Sequence, residues 1–303
     1  MLFRSLLDKK NNFQFLSHQY KGASQLLEIK YKNSIHKIKL NLIGKVQFKN
    51  VLMAVITSIK SSINIKDILS VIPKIKPVEG RFEKVGKIKN NSKVILDYAH
   101  TPDALKTCLT NIKEQFPGKK ITLVFGCGGN RDQNKRAKMG KIADLFSDKI
   151  YLTDDNPRLE QPSKIRKDIK KGIKKQKVLE FSNRAKAIAE AIKHLNIGEI
   201  LLVAGKGHEK VQEIGLKKVF FSDKKNILNA IKIKNLKLSN NLKVNILNEL
   251  SAEKKISNQI SFEKARINSK EIKKNDIFFA IKGKINDGNK FIIEAFKKKH
   301  QLQ

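Results

Sequence analysis

Lys93-Val94-Ile95-Leu96-Asp97-Tyr98-Ala99-His100-Thr101-Pro102 holds a short apolar run, a carboxylate at its end, a polar loop and then a proline. The run is too short for a buried helix, and proline is favoured in a helix's first turn, so the stretch reads as a strand over residues 94–97 feeding a helix from Pro102. The unit recurs. Strands are predicted over residues 121–125, 150–153, 178–181 and 200–204, helices from Asn134, Pro162 and Asn183, then a short strand over 219–221 and a last helix from Asp223. Apolar runs alternating with amphipathic helices predict an α/β, doubly wound domain of parallel strands between helix layers. Ligands of such a sheet collect at the carboxyl ends of its strands.

Upstream, alternating runs over residues 26–46 predict two antiparallel strands around Lys32-Asn33-Ser34. Helical spacing follows over 48–59 and 65–72, stopped by Pro73 and Pro77, and residues 76–82 read as a linker. After Lys234 the α/β rhythm is lost. A polar stretch through Asn240 is expected to lead to a new unit from about Val244, with a strand over 277–281, a turn at Lys282-Gly283-Lys284 and a helix over 289–298; the chain ends without completing that domain.

The 303 residues are 40% hydrophobic and 30% charged, which suits a core-forming chain of about two or three domains. Lys and Arg number 64 against 28 Asp and Glu, a net charge of +36, yet only eight are Arg, and the Lys are spread from Lys9 to Lys299. Arg is the residue that grips guanine edges and phosphates with two prongs, so a surplus built from dispersed Lys is background composition, and no nucleic acid is expected as a partner. Cys108 and Cys127 cannot staple a fold this size and show no zinc spacing, so a reducing, cytoplasmic setting is expected. No apolar run approaches the ~20 residues of a membrane span, and residues 1–8 lack a signal-peptide core.

Polar clusters fall where strands end: Asp97 to Pro102, then Gly126-Cys127-Gly128-Gly129-Asn130-Arg131-Asp132, then Asp154-Asp155-Asn156-Pro157-Arg158, then Gly205-Lys206-Gly207-His208-Glu209. A dinucleotide fingerprint would need glycine where Arg131 stands, and no GxxxxGK[ST] phosphate loop occurs. The glycines can aim Arg131 across the strand ends, or Arg131 is the exposed residue of a plain βα turn. Arg158, behind a rigid Asn-Pro step, can hold a carboxylate with two prongs or pair with Glu160 at the surface. Asp154 and Asp155 are adjacent and must point to opposite faces, so only one meets a ligand. Glu209 can accept from an ammonium or cap a helix start; His100 and His208 are structural or general bases; Cys127 is packing. Two arginines and a carboxylate on one rim suit a zwitterion, most economically an amino acid.

In order and spacing, Glu79-Gly80-Arg81-Phe82-Glu83, Asp97 through Leu105, Phe125 through Asp132, Thr153 through Arg158 and Val203 through Glu209 resemble the Mur ligases of peptidoglycan synthesis, most closely their diaminopimelate-adding members. The likeness covers residues 20–233. It implies an ATP-dependent, amide-forming ligase that adds meso-diaminopimelate to UDP-MurNAc-L-Ala-D-Glu, with a lysine-adding relative or a non-catalytic basic anion-binding module as the alternatives. It further implies that residues 1–79 are the tail of a central ATPase domain without its phosphate loop, and that residues 80–233 are the Rossmann-like, amino-acid-binding carboxyl-terminal domain. Diaminopimelate contacts carry over to Arg131, Asp155, Asn156, Pro157, Arg158, Gly205 and Glu209, and ATP contacts to Asn50, Arg81 and Asp97. Mg2+ belongs mostly to the missing part of the central domain, no catalytic residue falls within the chain, and the chain alone is expected to be inactive.

Asn268-Ser269-Lys270, Asn275 through Gly283 and Asp287-Gly288-Asn289-Lys290-Phe291 are similar to the Asp-Ser-Arg, Phe-x-Ala-x-x-Gly and Asp-Gly-His-x-Phe pattern of a Mur ligase amino-terminal domain, with Asn268, Lys270 and Asn289 departing from it. Residues 234–303 are thus expected to be a linker and a partial small α/β domain, the start of a second, D-alanyl-D-alanine-adding ligase.

Overall fold

The computed structural model describes residues 13–175, 177–250, 265–272, 276–281 and 287–300. The chain forms two compact units, Met1–Lys232 and Ile233–Gln303.

The first unit opens with an antiparallel meander of β1 (Phe13–Lys21), β2 (Ser24–Tyr31) and β3 (Ser34–Leu40). The β2–β3 hairpin turns at Lys32-Asn33, with Lys32 at φ 53°. The sequence reading found only this pair. It missed β1, whose register against β2 shifts between Phe15 and Ser17 and so breaks the alternation a strand normally prints. Helix α1 (Lys45–Lys60) lays Phe48, Val51, Leu52 and Val55 on Leu27, Ile29, Ile38 and Leu40, and α2 (Ile65–Val71) ends at a 3-10 turn containing Pro73.

Next comes a six-stranded sheet of β4 (Glu83–Lys84), β5 (Lys93–Asp97), β6 (Ile121–Phe125), β7 (Lys149–Thr153), β8 (Val178–Phe181) and β9 (Ile200–Ala204), in the spatial order β4-β5-β9-β6-β7-β8. Only β4 runs antiparallel. Helices α3 (Pro102–Gln115), α4 (Asn134–Phe146) and α5 (Pro162–Lys170) share a core with Ile95, Leu123, Ile150 and Leu202 on one face. Helix α6 (Arg184–Lys193) packs across β6, β7, β8 and β9. Every residue of β6 and β9 is buried, as strands sandwiched between helices must be, and each such Leu, Ile or Val contributes about 1.5–3 kcal/mol relative to exposure. The doubly wound α/β reading holds.

The chain then departs from expectation. In place of one strand near 219–221 there is an antiparallel hairpin, β10 (Val211–Ile214) with β11 (Lys217–Phe220), outside the main sheet. In place of a polar linker after Lys234, helix α7 runs Asp223–Leu250. Its sequence has no Gly or Pro, and the Ser and Asn read as a break cost a helix only a few tenths of a kcal/mol each, about 0.5.

In the second unit β12 (Ala265–Arg266) pairs parallel with β13 (Ile277–Phe278), shorter than the predicted strand over 277–281. A 3-10 turn, Gly288–Phe291, precedes α8 (Ile292–His300). The predicted turn at Lys282-Gly283-Lys284, with Asn275 and Gly283 of the tail pattern, lies outside the described residues. Among the described residues no helix is long and apolar enough to cross a membrane.

Candidate functional site

Strands β5, β9, β6 and β7 are consecutive neighbours, and each carries one polar cluster at its carboxyl end. The sheet order therefore joins four segments far apart in sequence into one rim. Its centre is Lys206, a fully buried ammonium, which burial makes untenable unless it is paired. Its Nζ donates to Asn156 Oδ1 at 2.8 Å and to Glu209 Oε2 at 2.8 Å, with Asp155 Oδ1 at 3.8 Å. Because Asn156 Oδ1 also accepts from the Glu213 N–H at 3.1 Å, the amide's Nδ2 is turned toward Glu209, 3.1 Å away. Gly205 makes this approach possible: at φ 117° it bends the strand end, and a Cβ there would stand 2.6 Å from Asp155 Oδ2.

Charge follows geometry. Burial alone would raise the Glu209 carboxyl, but Lys206, Asn156 and the Tyr98 hydroxyl outweigh it and hold the group below its ordinary range. Asp155, sealed in the interior, is pushed up by burial, partly offset by Arg184 and Lys206. Asp154, just past the end of β7, turns the other way and bonds Arg166, which also holds Glu180 at 2.7 Å.

Arg158 occupies the next stretch of rim. Its backbone sits at φ 51°, is clamped by the hairpin through Arg158 N–H to Glu213 C=O (3.0 Å) and Gly215 N–H to Arg158 C=O (2.8 Å), and bridges Ile214. Its Nη1 donates to the Gly129 carbonyl at 2.8 Å, and its Nε lies 2.6 Å from Glu213 Oε2. The surface pair with Glu160 considered from sequence does not form. Glu160 instead holds the fully buried Arg136 at 2.8 Å. Arg131 is exposed, and it shares Gly128 with Arg158: a Cβ on that glycine would meet Arg158 Nη1 at 2.9 Å and Arg131 Cγ at 3.9 Å. The structure thus brings Arg131, Asn156, Arg158, Gly205 and Glu209 around one rim. Pro157 stays a backbone element whose carbonyl crowds Gly129, and Asp155 lies beneath.

The predicted nucleotide contacts divide. Arg81 is exposed and lies over the Tyr98 ring at 4.6 Å, beside His208, whose ring is 5.3 Å from that of Tyr98. Asp97 is buried and both its oxygens already accept within the chain, Oδ2 from the Phe82 N–H (2.8 Å) and Oδ1 from the Ala99 N–H (2.8 Å) and the Cys108 thiol (3.2 Å). It braces the Arg81–Phe82 turn. Asn50 is exposed on α1, one turn beyond Gln47, which donates to the Arg81 carbonyl at 3.2 Å. His100 Nδ1 is engaged with the Tyr98 carbonyl at 2.9 Å. Cys127 is buried against Met139, and burial pushes its thiol up to about 12, so it is inert packing. Among the described residues no group of three or more His, Cys, Asp or Glu converges to hold a metal ion.

Sequence reasoning missed Lys206, Glu213, Arg136 and Arg184. Lys206 lay inside a quoted cluster, but a lysine between two glycines gives no sign of burial. Glu213 belongs to the strand that was not predicted.

A family model described as "Mur ligase, glutamate ligase domain" matches residues 80–207. The UDP-N-acetylmuramoyl-L-alanyl-D-glutamate–2,6-diaminopimelate ligase of Rickettsia typhi is 38% identical over 227 residues, 71% of this chain and 45% of that protein. Its namesake in Fusobacterium nucleatum is 43% identical over 199 residues, 65% of this chain and 41% of that protein. A solved structure of a ligase with the same name superposes at a TM-score of 0.61 with 29% identity, over 76% of this chain and 47% of the other. The chain spans less than half the length of these relatives.

Proposed function

Residues 80–207 belong to the carboxyl-terminal domain of the Mur ligase family, and from that premise we propose that the rim binds meso-diaminopimelate and presents one of its amines for ATP-dependent amide formation with UDP-MurNAc-L-Ala-D-Glu. The observation that carries this reading is the convergence of Arg131, Arg158, Asn156 and Glu209 along the ends of adjacent strands. One amino-acid end of the ligand offers a carboxylate to the guanidinium of Arg158, with Arg131 beside it, and an ammonium to Glu209. Bidentate geometry favours Arg over Lys for this task.

In the reaction so assigned, ATP converts the substrate carboxylate into an acyl phosphate. The amine nitrogen then forms the amide bond as the acyl–phosphate bond breaks, phosphate departs and the amine loses a proton. The chain's own residues contribute orientation: held at one end by Arg158 and Glu209, the ligand has its other amine fixed in direction, which converts an encounter into a positioned attack. Arg81, over the Tyr98 ring at 4.6 Å and exposed, is suited to a nucleotide phosphate or base. No residue here is assigned to Mg2+. The same reading takes residues 1–79 as the end of a central ATPase domain and 234–303 as a linker with the start of a further domain.

Calorimetric titration tests the proposal. Saturable meso-diaminopimelate binding that is lost in Arg158→Ala and not matched by L-lysine supports it. Equal affinity for L-lysine would make the chain a lysine-adding relative, and salt-sensitive polyanion binding indifferent to Arg158→Ala would make it a basic binding module.

A further inference from the structure

Helix α1 begins without a cap of its own. Helices α2, α3 and α6 each start behind a residue whose side chain takes a first-turn amide, Asn64, Thr101 and Asn183, whereas the residue before α1 is Gly44, which has no side chain to offer. The amides at the start of α1 are answered from another part of the chain. Gly44 N–H donates to Gln115 Oε1 at 2.7 Å, and Lys45 N–H donates to Asn111 Oδ1 at 2.5 Å. The two acceptors stand four residues apart on α3, on the same helix face. Gln115 is 3% exposed and Asn111 7%, so neither can lose its partner cheaply.

The other bonds of the two amides fix them in place. Gln115 Nε2 donates to the Gly22 carbonyl at 2.9 Å, and Asn111 Nδ2 donates to the Thr107 carbonyl of its own helix at 2.7 Å. Gly44 also lies against the turn that carries Arg81. At φ 89°, a Cβ on Gly44 would stand 3.2 Å from the Phe82 ring, and Ile43 and Phe82 share one core with Leu105, Leu109 and Ile112 of α3. The start of α1, the Arg81–Phe82 turn and α3 therefore meet at one point. Just inside α1, Gln47 Nε2 donates to the Arg81 carbonyl at 3.2 Å, and Asn50 follows one turn later.

Apolar packing at Ile43 and Phe82 is non-directional and tolerates rotation of α1 about its axis, whereas hydrogen bonds do not. A helix turns about 100° per residue, so a one-residue slip at the start of α1 would carry Asn50 to a different face. We propose that Asn111 and Gln115 are positioning residues for the nucleotide: by capping α1 from α3, they set where Asn50 stands relative to Arg81. Both act through α1. The inference rests on the reading of Asn50 and Arg81 as ATP contacts.

The test is calorimetric titration of ADP into the full chain, with hydrogen exchange followed at the Gly44 and Lys45 amides. Asn111→Leu and Gln115→Met remove the acceptors at similar volume and are each expected to weaken ADP about tenfold and to release the amide they cap to exchange. Asn111→Asp keeps an oxygen in place and is expected to hold ADP affinity within about twofold of the parent, with the Lys45 amide still protected. Affinity for meso-diaminopimelate is expected to stay at the parent's value in all three variants. ADP binding that tolerates both Asn111→Leu and Gln115→Met overturns this proposal alone, as does failure of Asn111→Asp to restore it. A parallel loss of meso-diaminopimelate binding also overturns it, because the two amides then serve only the fold. Absence of ADP saturation at millimolar concentration in the parent removes the nucleotide reading of Asn50 and Arg81 and this proposal with it.

Discussion

The two halves of the rim are built to opposite rules. Around Lys206 every charge is answered inside the protein: the buried ammonium, the Asn156 amide and the Glu209 carboxylate satisfy one another at hydrogen-bond distance, with the Asp155 carboxylate 3.8 Å from the ammonium. Around Gly128 the arrangement is open, with Arg131 exposed and Arg158 half-buried and held, among the described residues, by one carboxylate, that of Glu213. The difference teaches how one strand edge can be both rigid and receptive. The closed half fixes the backbone of the Asp155–Arg158 loop and the direction of Asn156, and the open half keeps guanidinium groups available for exchange with a ligand.

The largest expected effect comes from breaking the closed half. Lys206→Met leaves Glu209 and Asn156 without their shared donor and should destabilise the fold by about 3 kcal/mol in urea denaturation, with rim binding lost. If stability is unchanged, Lys206 is not the centre of this half. Gly205→Ala should come next, at about 2 kcal/mol, since it places a Cβ 2.6 Å from Asp155 at a φ of 117°. Gly215→Ala, at φ 58° with no neighbour within 4 Å, is the matched control and should cost less than Gly205→Ala in the same measurement.

Acid separates the halves more finely. A carboxyl held below its free value contributes stability that is fully present above its ordinary 4.5 and is lost as pH falls through the lowered folded value. Glu209→Gln should therefore be less stable than the parent at neutral pH, with the gap closing below about pH 4.5. Asp155 carries the opposite sign: raised by burial, its contribution is greatest in acid and is lost as pH rises through its folded value. A Glu209→Gln gap that widens in acid would contradict the assigned network.

In the open half effects on folding should be small. Glu213→Gln removes the charge competing for Arg158 and should tighten meso-diaminopimelate binding by about threefold, with a melting temperature close to the parent's. Arg131→Lys keeps the charge but loses the fork and should weaken binding about twofold, the smallest change of the series.

How much of this was readable in the sequence depended on burial. Strand β6 is buried at all five positions, so Ile121 to Phe125 printed as a run apolar everywhere but Thr122, and Pro102 and Pro162 marked helix starts by their chemistry. Strand β4 is two polar residues at the sheet edge, and β10 is half exposed, so neither left a pattern. The quoted clusters located the rim because each ended a legible strand. Which of their charges would be consumed internally was not legible: Asp97 and Asp155 look like ligand groups in sequence, Lys206 gave no sign of a role, and all three are buried. For Arg158 a pair with nearby Glu160 was one of two readings, and its partner in the structure, Glu213, arrives from a hairpin 55 residues later.

The most direct test of the rim is a crystal structure of the chain soaked with meso-diaminopimelate. The account predicts one carboxylate of the ligand on the Arg158 guanidinium within reach of Arg131, the ammonium of the same end on Glu209, and the second amine facing away from Lys206. A ligand seated with its carboxylates at Arg81 and His208, or leaving the Arg158 and Glu213 pair intact and untouched, would contradict it.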